Sequence, residues 1–245
     1  MKIVINPAYK ILNSFITYIP AIFETEGEMV YIARNQLKYY SVEGYDLIVK
    51  RYKKPHIINR IAYTFFRPSK AKRAFEYAMK LLKLGVESPA PIAYIEQYNG
   101  KLLTNGYFIS IYEKDFSVIR ELMDGTQKDV TLLYKLSSYI ADLHSKGVLH
   151  LDMSPGNILY KKYDNQVAFT LVDINRMQFL PSISNEKRYK SFKRLSQKEE
   201  VLTEIAKIYA SASNLDESET IRKINHYSSE FFSTRKRIKT GKNKK

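Results

Sequence analysis

The stretch His150-Leu151-Asp152-Met153-Ser154-Pro155-Gly156-Asn157-Ile158-Leu159 decides how the rest of the chain is read. A helix is expected before it: Asp129 is suited to cap it, and Leu132, Leu136, Tyr139, Ile140 and Leu143 recur as one apolar stripe. Lys146-Gly147 should end that helix. After the stretch, Ile158–Tyr160 and Val167–Val172 read as a hairpin. It returns the chain to Asp173, which lies 16 residues beyond Asn157. Asp152, Asn157 and Asp173 are therefore expected at one mouth.

Two carboxylates and an amide in that arrangement have a definite chemistry. One carboxylate can accept the proton of an attacking hydroxyl. The other, with the amide oxygen, can hold Mg²⁺, which takes hard oxygen ligands and usually one or two carboxylates beside phosphates and water. That layout serves phosphoryl transfer. The spacing His-x-Asp-x4-Asn with a later Asp resembles the protein-kinase superfamily. What the resemblance implies is an α+β, two-lobed protein-kinase-like fold: a β-rich N-lobe with one helix and a short, mostly helical C-lobe. The expected division is 1–112 for the N-lobe, 113–234 for the C-lobe and 235–245 for a basic tail.

The first half fits that expectation. Glu28–Ala33, Gln36–Val42 and Tyr45–Tyr52 are rich in Val, Ile and Tyr, with Glu43-Gly44 as a turn. Ser69 is suited to cap a helix whose Phe75, Ala78, Met79 and Leu82 share a face, and Gly85 to close it. Ile92–Tyr98 and Tyr107–Tyr112 read as strands flanking Asn99-Gly100, with Lys101–Gly106 as a link longer than a tight turn. A kinase-like N-lobe calls for a lysine on its third strand, and Lys50 in Leu47-Ile48-Val49-Lys50 supplies it. Ile48 shares its face and can wall an adenine pocket. The resemblance also calls for a helical carboxylate to orient that lysine. Glu76 is the one acidic residue among five basic ones between Ser69 and Leu84, and its alternative is a solvated surface Glu.

There are departures from the general kinase pattern. Leu151 stands where Arg is usual, Asp173-Ile174-Asn175 replaces Asp-Phe-Gly, and Ala33-Arg34-Asn35-Gln36 occupies the turn where a glycine-rich loop would lie. These residues, with Ser69-Lys70-Ala71-Lys72-Arg73-Ala74, Gly85-Val86-Glu87-Ser88-Pro89-Ala90-Pro91 and the Asp173-Ile174-Asn175-Arg176 form, look like the lipopolysaccharide core kinase family (Kdo and heptose kinases), the Kdo branch above all. The resemblance covers Glu28 to Tyr209. It implies ATP and Mg²⁺ as cofactors and a sugar hydroxyl as acceptor. Asp152 would be the base, Asn157 and Asp173 metal ligands, Lys50 a phosphate contact and Glu76 its orienter. Arg34 or Asn35 would contact phosphate, and Tyr112 and Glu113 would lie near the nucleotide at the hinge. Arg176 is open between steadying the transferring phosphate, holding the sugar's anion, and a salt bridge to Asp152. His150 reads as a structural residue bonding the loop backbone rather than as a base.

Composition narrows the classes. Forty Lys+Arg against 25 Asp+Glu give +15, which calls for an anionic partner. Kdo-lipid A or a similar glycolipid, met in peripheral contact at the cytoplasmic face of the inner membrane, suits that charge. The clusters Lys50–Arg60, Arg67–Arg73, Lys187–Arg194 and the tail are candidates for the contact. Arg235–Lys245 holds seven basic residues and no acid, and is expected to be disordered. Phe15, Tyr18, Ile19, Ile22 and Phe23 either dip into the interface or pack as core. The absence of Cys excludes disulfides and thiolate metal sites, and four His leave little for an imidazole-rich one. Aromatic content of 13% excludes a mostly disordered chain. No stretch reaches the ~20 apolar residues of a membrane span, and Pro7, Lys10 and Asn13 interrupt what a secretory signal would need. A cytoplasmic protein is expected. Two other classes stand beside this reading: a small atypical protein kinase, which a short C-lobe without Ala-Pro-Glu disfavours, and a non-enzymatic basic scaffold for nucleic acid, which no RNA- or DNA-binding motif supports.

Overall fold

The computed structural model describes residues 1–32, 35–53, 67–164 and 166–242. Contacts divide the chain into two units, Met1–Lys114 and Asp115–Lys245.

In the first unit, β1 (Lys2–Ile5), a 3-10 segment (Pro7–Leu12) and α1 (Asn13–Ile22) precede β2 (Glu28–Ile32), β3 (Gln36–Val42), β4 (Tyr45–Tyr52), α2 (Lys70–Lys83), β5 (Pro91–Asn99) and β6 (Leu102–Ile111). The strands make one antiparallel sheet, ordered β1-β5-β6-β4-β3-β2. Val42 pairs with Tyr45, so Glu43 and Gly44 form a two-residue turn with φ of 50° and 76°. That left-handed pair matches the twist of a hairpin.

Alternation along β4 separates a core face from its opposite. Leu47 and Val49 are buried with Ile95, Tyr107 and Ile109 under Leu12, Ile16, Ile19 and Phe23 from the N-terminal segment. Ile48 and Lys50 fall on the opposite face. The two readings of the N-terminal segment are thereby separated: Ile19 and Phe23 are core, Phe15 and Ile22 pack against it, and Tyr18 stays 65% exposed.

The small residues Ala71, Ala74 and Ala78 let α2 approach β5 and β6. Ala71 lies over Gly106, where an added Cβ would come within 3.2 Å of it. Phe75 meets Tyr94 at 5.5 Å between ring centres. Ser69 caps the helix, its hydroxyl accepting from the Lys72 amide at 3.1 Å, a bond worth ~1 kcal/mol.

The link expected over Lys101–Gly106 is strand instead. Asn99 pairs with Leu102, and Gly100 at φ 58° turns the chain. Polar side chains hold this end of the ladder: Thr104 donates to the Gln97 carbonyl at 3.0 Å and Asn105 to the Gln97 side chain at 2.9 Å.

The second unit contains β7 (Ser117–Val118), α3 (Arg120–Met123), α4 (Val130–Ser145), β8 (Val148–His150), β9 (Ile158–Tyr163), β10 (Gln166–Leu171), β11 (Met177–Phe179), α5 (Asn185–Ser191), α6 (Glu199–Ser213) and α7 (Glu217–Lys242). Its strands form a β10-β9-β7 sheet and a β11-β8 pair. Asp129 caps α4 through the Leu132 amide at 2.8 Å. Leu132, Leu136, Ile140 and Leu143 are buried, and Tyr139 stacks on Phe169 at 5.1 Å. Buried His144 joins α4 to α6 through Nδ1 and the Tyr209 hydroxyl at 2.7 Å. The tail expected to be disordered instead continues α7 through 235–242. Lys and Arg are strong helix formers, and Arg235 rests on the Phe231 ring at 5.5 Å.

Gly147 turns α4 into β8. Its φ is 72°, its carbonyl accepts from the Leu180 amide at 2.8 Å, and an added Cβ would collide with the Leu180 carbonyl oxygen. Gly147→Ala should therefore cost ~2–4 kcal/mol, combining a left-handed non-glycine residue with a backbone clash. Gly44→Ala carries only the conformational cost of ~1–2 kcal/mol, since no atom lies within 4 Å. Calorimetry should show the larger drop in Tm for Gly147→Ala; equal drops would remove the clash from the account.

Candidate active site

The site in the second unit is assembled on one imidazole. His150 ends β8, pairs in register with Met177 of β11, and is 1% exposed. Its Nε2 donates to the Val172 carbonyl at 3.3 Å, and its Nδ1 accepts from the Asp152 amide at 3.1 Å. These two bonds assign the proton to Nε2 and require the neutral ring. Burial pushes the imidazole below its ordinary pKa, outweighing the Val172 carbonyl and the carboxylates of Asp152 and Asp173. One ring thus ties the loop that carries Asp152 to the strand end that delivers Asp173.

Asn157 closes the loop from the other side. It ends a 3-10 turn, Pro155–Asn157, and its side-chain amide donates to the Asp152 carbonyl at 2.8 Å. Its own carbonyl accepts from the Val172 amide at 3.0 Å. Asp173 follows directly with φ 53°, a left-handed conformation that Asp tolerates better than most residues and that marks stored strain. Its carboxylate accepts from the buried Asn175 amide at 2.7 Å.

Asp152 is largely buried and meets two cations. Arg176 Nη1 lies 3.5 Å from Oδ2, so the salt bridge considered for Arg176 is formed. Arg194, from the 3-10 turn Phe192–Arg194, places Nη1 against Oδ1 as a close ion pair without the alignment of a hydrogen bond. Arg194 was legible only as part of the basic run Lys187–Arg194. No spacing rule links it to Asp152, and tertiary packing alone brings it there.

The residues assigned to the nucleotide lie in the first unit. Lys50 is half-buried on β4, its ammonium 5.5 Å from the Tyr52 ring centre, with Ile48 two residues before it on the same face. Glu76 on α2 pairs with Lys72, one turn earlier, at 3.7 Å. Asn35 accepts from the Lys53 amide at 3.3 Å. Tyr112 donates its amide to the Asp46 carbonyl at 2.9 Å, and half-buried Glu113 follows it, just before the boundary between the units. Arg34 and residues 54–66 of the basic connector lie outside the described residues, as do the last three of the tail.

The donor set suits Mg²⁺. Asn157 spends its amide N–H on Asp152, which leaves its side-chain oxygen as a hard donor, and the Asp173 carboxylate is a second. Among the described residues no cluster of three His, Cys, Asp or Glu could hold a metal. A site of one carboxylate and one amide oxygen, completed by phosphates and water, is what Mg²⁺ accepts.

The buried histidines set an acid limit. His144 is pushed down to about 3 by burial and then by the charge of Arg188, and His150 is also lowered. A lowered folded pKa means that the unfolded chain binds more protons below its own value near 6.5. Stability is then highest above ~6.5 and falls as pH drops, at about 1.4 kcal/mol per pH unit for each proton that only the unfolded chain binds. Urea unfolding between pH 7.5 and 5.5 should show that fall, and His150→Gln should make it shallower. A flat profile in the native chain would contradict the neutral, buried assignment.

Comparisons with known proteins bear on this geometry. A model of the lipopolysaccharide kinase (Kdo/WaaP) family matches residues 24–217. That segment contains Lys50, Glu76, Asp152, Asn157, Asp173, Arg176 and Arg194, and leaves out β1, α1 and all but the first residue of α7. Among solved structures, one described as WaaP in complex with acyl carrier protein is similar, with a TM-score of 0.64 and 14% identity over 94% of this chain and 99% of that one. At such identity the likeness establishes the fold, a kinase-like α+β architecture. No curated protein matches the chain. From the match over most of its length, the chain belongs to the lipopolysaccharide kinase (Kdo/WaaP) family, ATP-using enzymes that phosphorylate sugar hydroxyls of the lipopolysaccharide core.

Proposed function

We propose that the acceptor is Kdo in Kdo-lipid A, and that Asp152, Asn157 and Asp173 carry out the transfer. The observation that carries this reading is the locking of all three around His150, through backbone bonds to Asp152 and Val172 and the Asn157 amide. Asp152 holds the sugar hydroxyl and takes its proton. Asn157 and Asp173 hold Mg²⁺, which when bound supplies positive charge against the transferring phosphate. Lys50 adds a cation to the phosphates and Ile48 walls the adenine, while Glu76, expected to orient Lys50, is paired with Lys72 instead. Asn35, Tyr112 and Glu113 complete the nucleotide contacts. Such fixed charges lower the barrier because they need not reorganise as charge develops.

The basic composition supports the acceptor class. A net charge of +15 favours an anionic glycolipid, and residues near a membrane surface contribute ~1 kcal/mol each towards it. Among the described residues no helix is long and apolar enough to cross a membrane. Peripheral contact at the cytoplasmic face of the inner membrane fits both facts.

Incubation of purified Kdo-lipid A with the enzyme, Mg²⁺ and ATP should add one phosphate to Kdo, read by mass spectrometry. Asp152→Asn should lower kcat by about 10²–10⁴-fold while leaving nucleotide affinity near native. Asp173→Asn should abolish turnover and also weaken Mg²⁺-dependent ATP binding in calorimetry. Turnover retained in both variants would discard these roles.

A further inference from the structure

We propose that Arg176 and Arg194 together form the subsite for the acid group of the acceptor sugar, with Phe231 as the positioning residue that holds Arg194. This rests on the reading of Kdo, an acid sugar, as acceptor, and it adds a source for the choice of acceptor.

The charge balance around Asp152 is the first ground. Two guanidinium groups face one carboxylate, Arg176 at Oδ2 and Arg194 at Oδ1. Taken by themselves these three side chains carry one surplus positive charge, which a second anion would neutralise. Each arginine pairs with Asp152 through Nη1. Among the described residues neither guanidinium has another hydrogen-bond or ion-pair partner, so Nε and Nη2 of both are still to be used. A planar guanidinium matches a carboxylate with two parallel N–H donors, which a lysine cannot copy.

Placement is the second ground. Asp152 is where the acceptor hydroxyl is held, so an acid group on the same sugar must lie within a few ångströms of it. Arg176 is 55% exposed in its side chain and Arg194 28%, so both are open to a ligand while anchored at one end.

Anchoring of Arg194 is the third ground. Its guanidinium sits 5.5 Å from the centre of the Phe231 ring on α7. Lys193 and Arg235 face the same ring at 5.9 Å and 5.5 Å. Cation–π contacts of this kind fix a cation's direction without consuming its N–H donors. Phe231 thus holds Arg194 against Asp152 while leaving its donors free.

The test compares Kdo-lipid A with its derivative in which the Kdo carboxylate is converted to a carboxamide. The native enzyme should prefer the acid by at least ~10-fold in kcat/KM, the size of a charge-assisted hydrogen bond. Arg194→Gln also loosens the clamp on Asp152 and should lower kcat on both acceptors alike; beyond that shared loss, KM for the acid alone should rise ~10-fold or more, so that the preference collapses. Arg194→Lys should recover only part of it. Phe231→Ala, distant from the base, should raise KM for the acid ~3- to 10-fold, and Phe231→Tyr should restore it. No preference in the native enzyme overturns the inference while the proposed function stands. An acid preference that survives Arg194→Gln unchanged, with both acceptors losing equally, also overturns it and leaves the arginines to the base or the transferring phosphate. Transfer to neither acceptor by the native enzyme removes the Kdo reading and this inference together.

Discussion

A buried imidazole that must stay neutral is the constraint on which the site depends. His150 can donate to the Val172 carbonyl and accept from the Asp152 amide only with one proton on its ring. A second proton would set a donor against the Asp152 N–H and place a charge where water cannot reach it. Burial secures the neutral form, and burial comes from the β8–β11 pairing and the Gly147 turn. Two further bonds, Asn157 to the Asp152 carbonyl and Val172 to the Asn157 carbonyl, close the same ring of contacts. Loop and hairpin are thus fixed by bonds to backbone groups.

The segments outside the family match have a structural purpose. An antiparallel sheet exposes two faces, and each needs apolar cover or solvent. In the first unit α2 covers one face, while the N-terminal segment brings Leu12, Ile16, Ile19 and Phe23 to the other. Its β1 also pairs with β5, which would otherwise be an edge. In the second unit α7 packs on α6 and on the turn that carries Arg194, with Ile224 fully buried. These flanks complete cores that the matched segment alone leaves open.

Much of this was legible in the sequence because it is local. The Glu43-Gly44 hairpin, the Ser69 and Asp129 caps and the apolar stripes on α2 and α4 follow from backbone preferences within a few residues. Asp152, Asn157 and Asp173 were also legible, because a loop and a hairpin of ordinary length set their spacing. What was missed depended on contacts distant in sequence. The β5–β6 hairpin runs on through the expected Lys101–Gly106 link because Thr104 and Asn105 bond across the ladder to Gln97. The helix over 235–242 was hidden by its charge. Arg194 is 42 residues from Asp152, and nothing in its neighbours announces the contact.

Asp152 also illustrates why the arginines are fixed rather than solvated. A carboxylate withdrawn from water loses hydration worth several kcal/mol unless cations or donors replace it. Here the loop spends its backbone donors elsewhere: the Asp152 amide goes to His150 and the Ser154 amide to the Asp152 carbonyl. The side chain must therefore be compensated by groups from other elements, and Arg176 and Arg194 supply it from opposite oxygens. Phosphoryl transfer through a loose transition state asks less for a strong base than for a well-placed acceptor hydroxyl. A carboxylate clamped by two guanidinium groups trades freedom for position, and position is what that chemistry rewards.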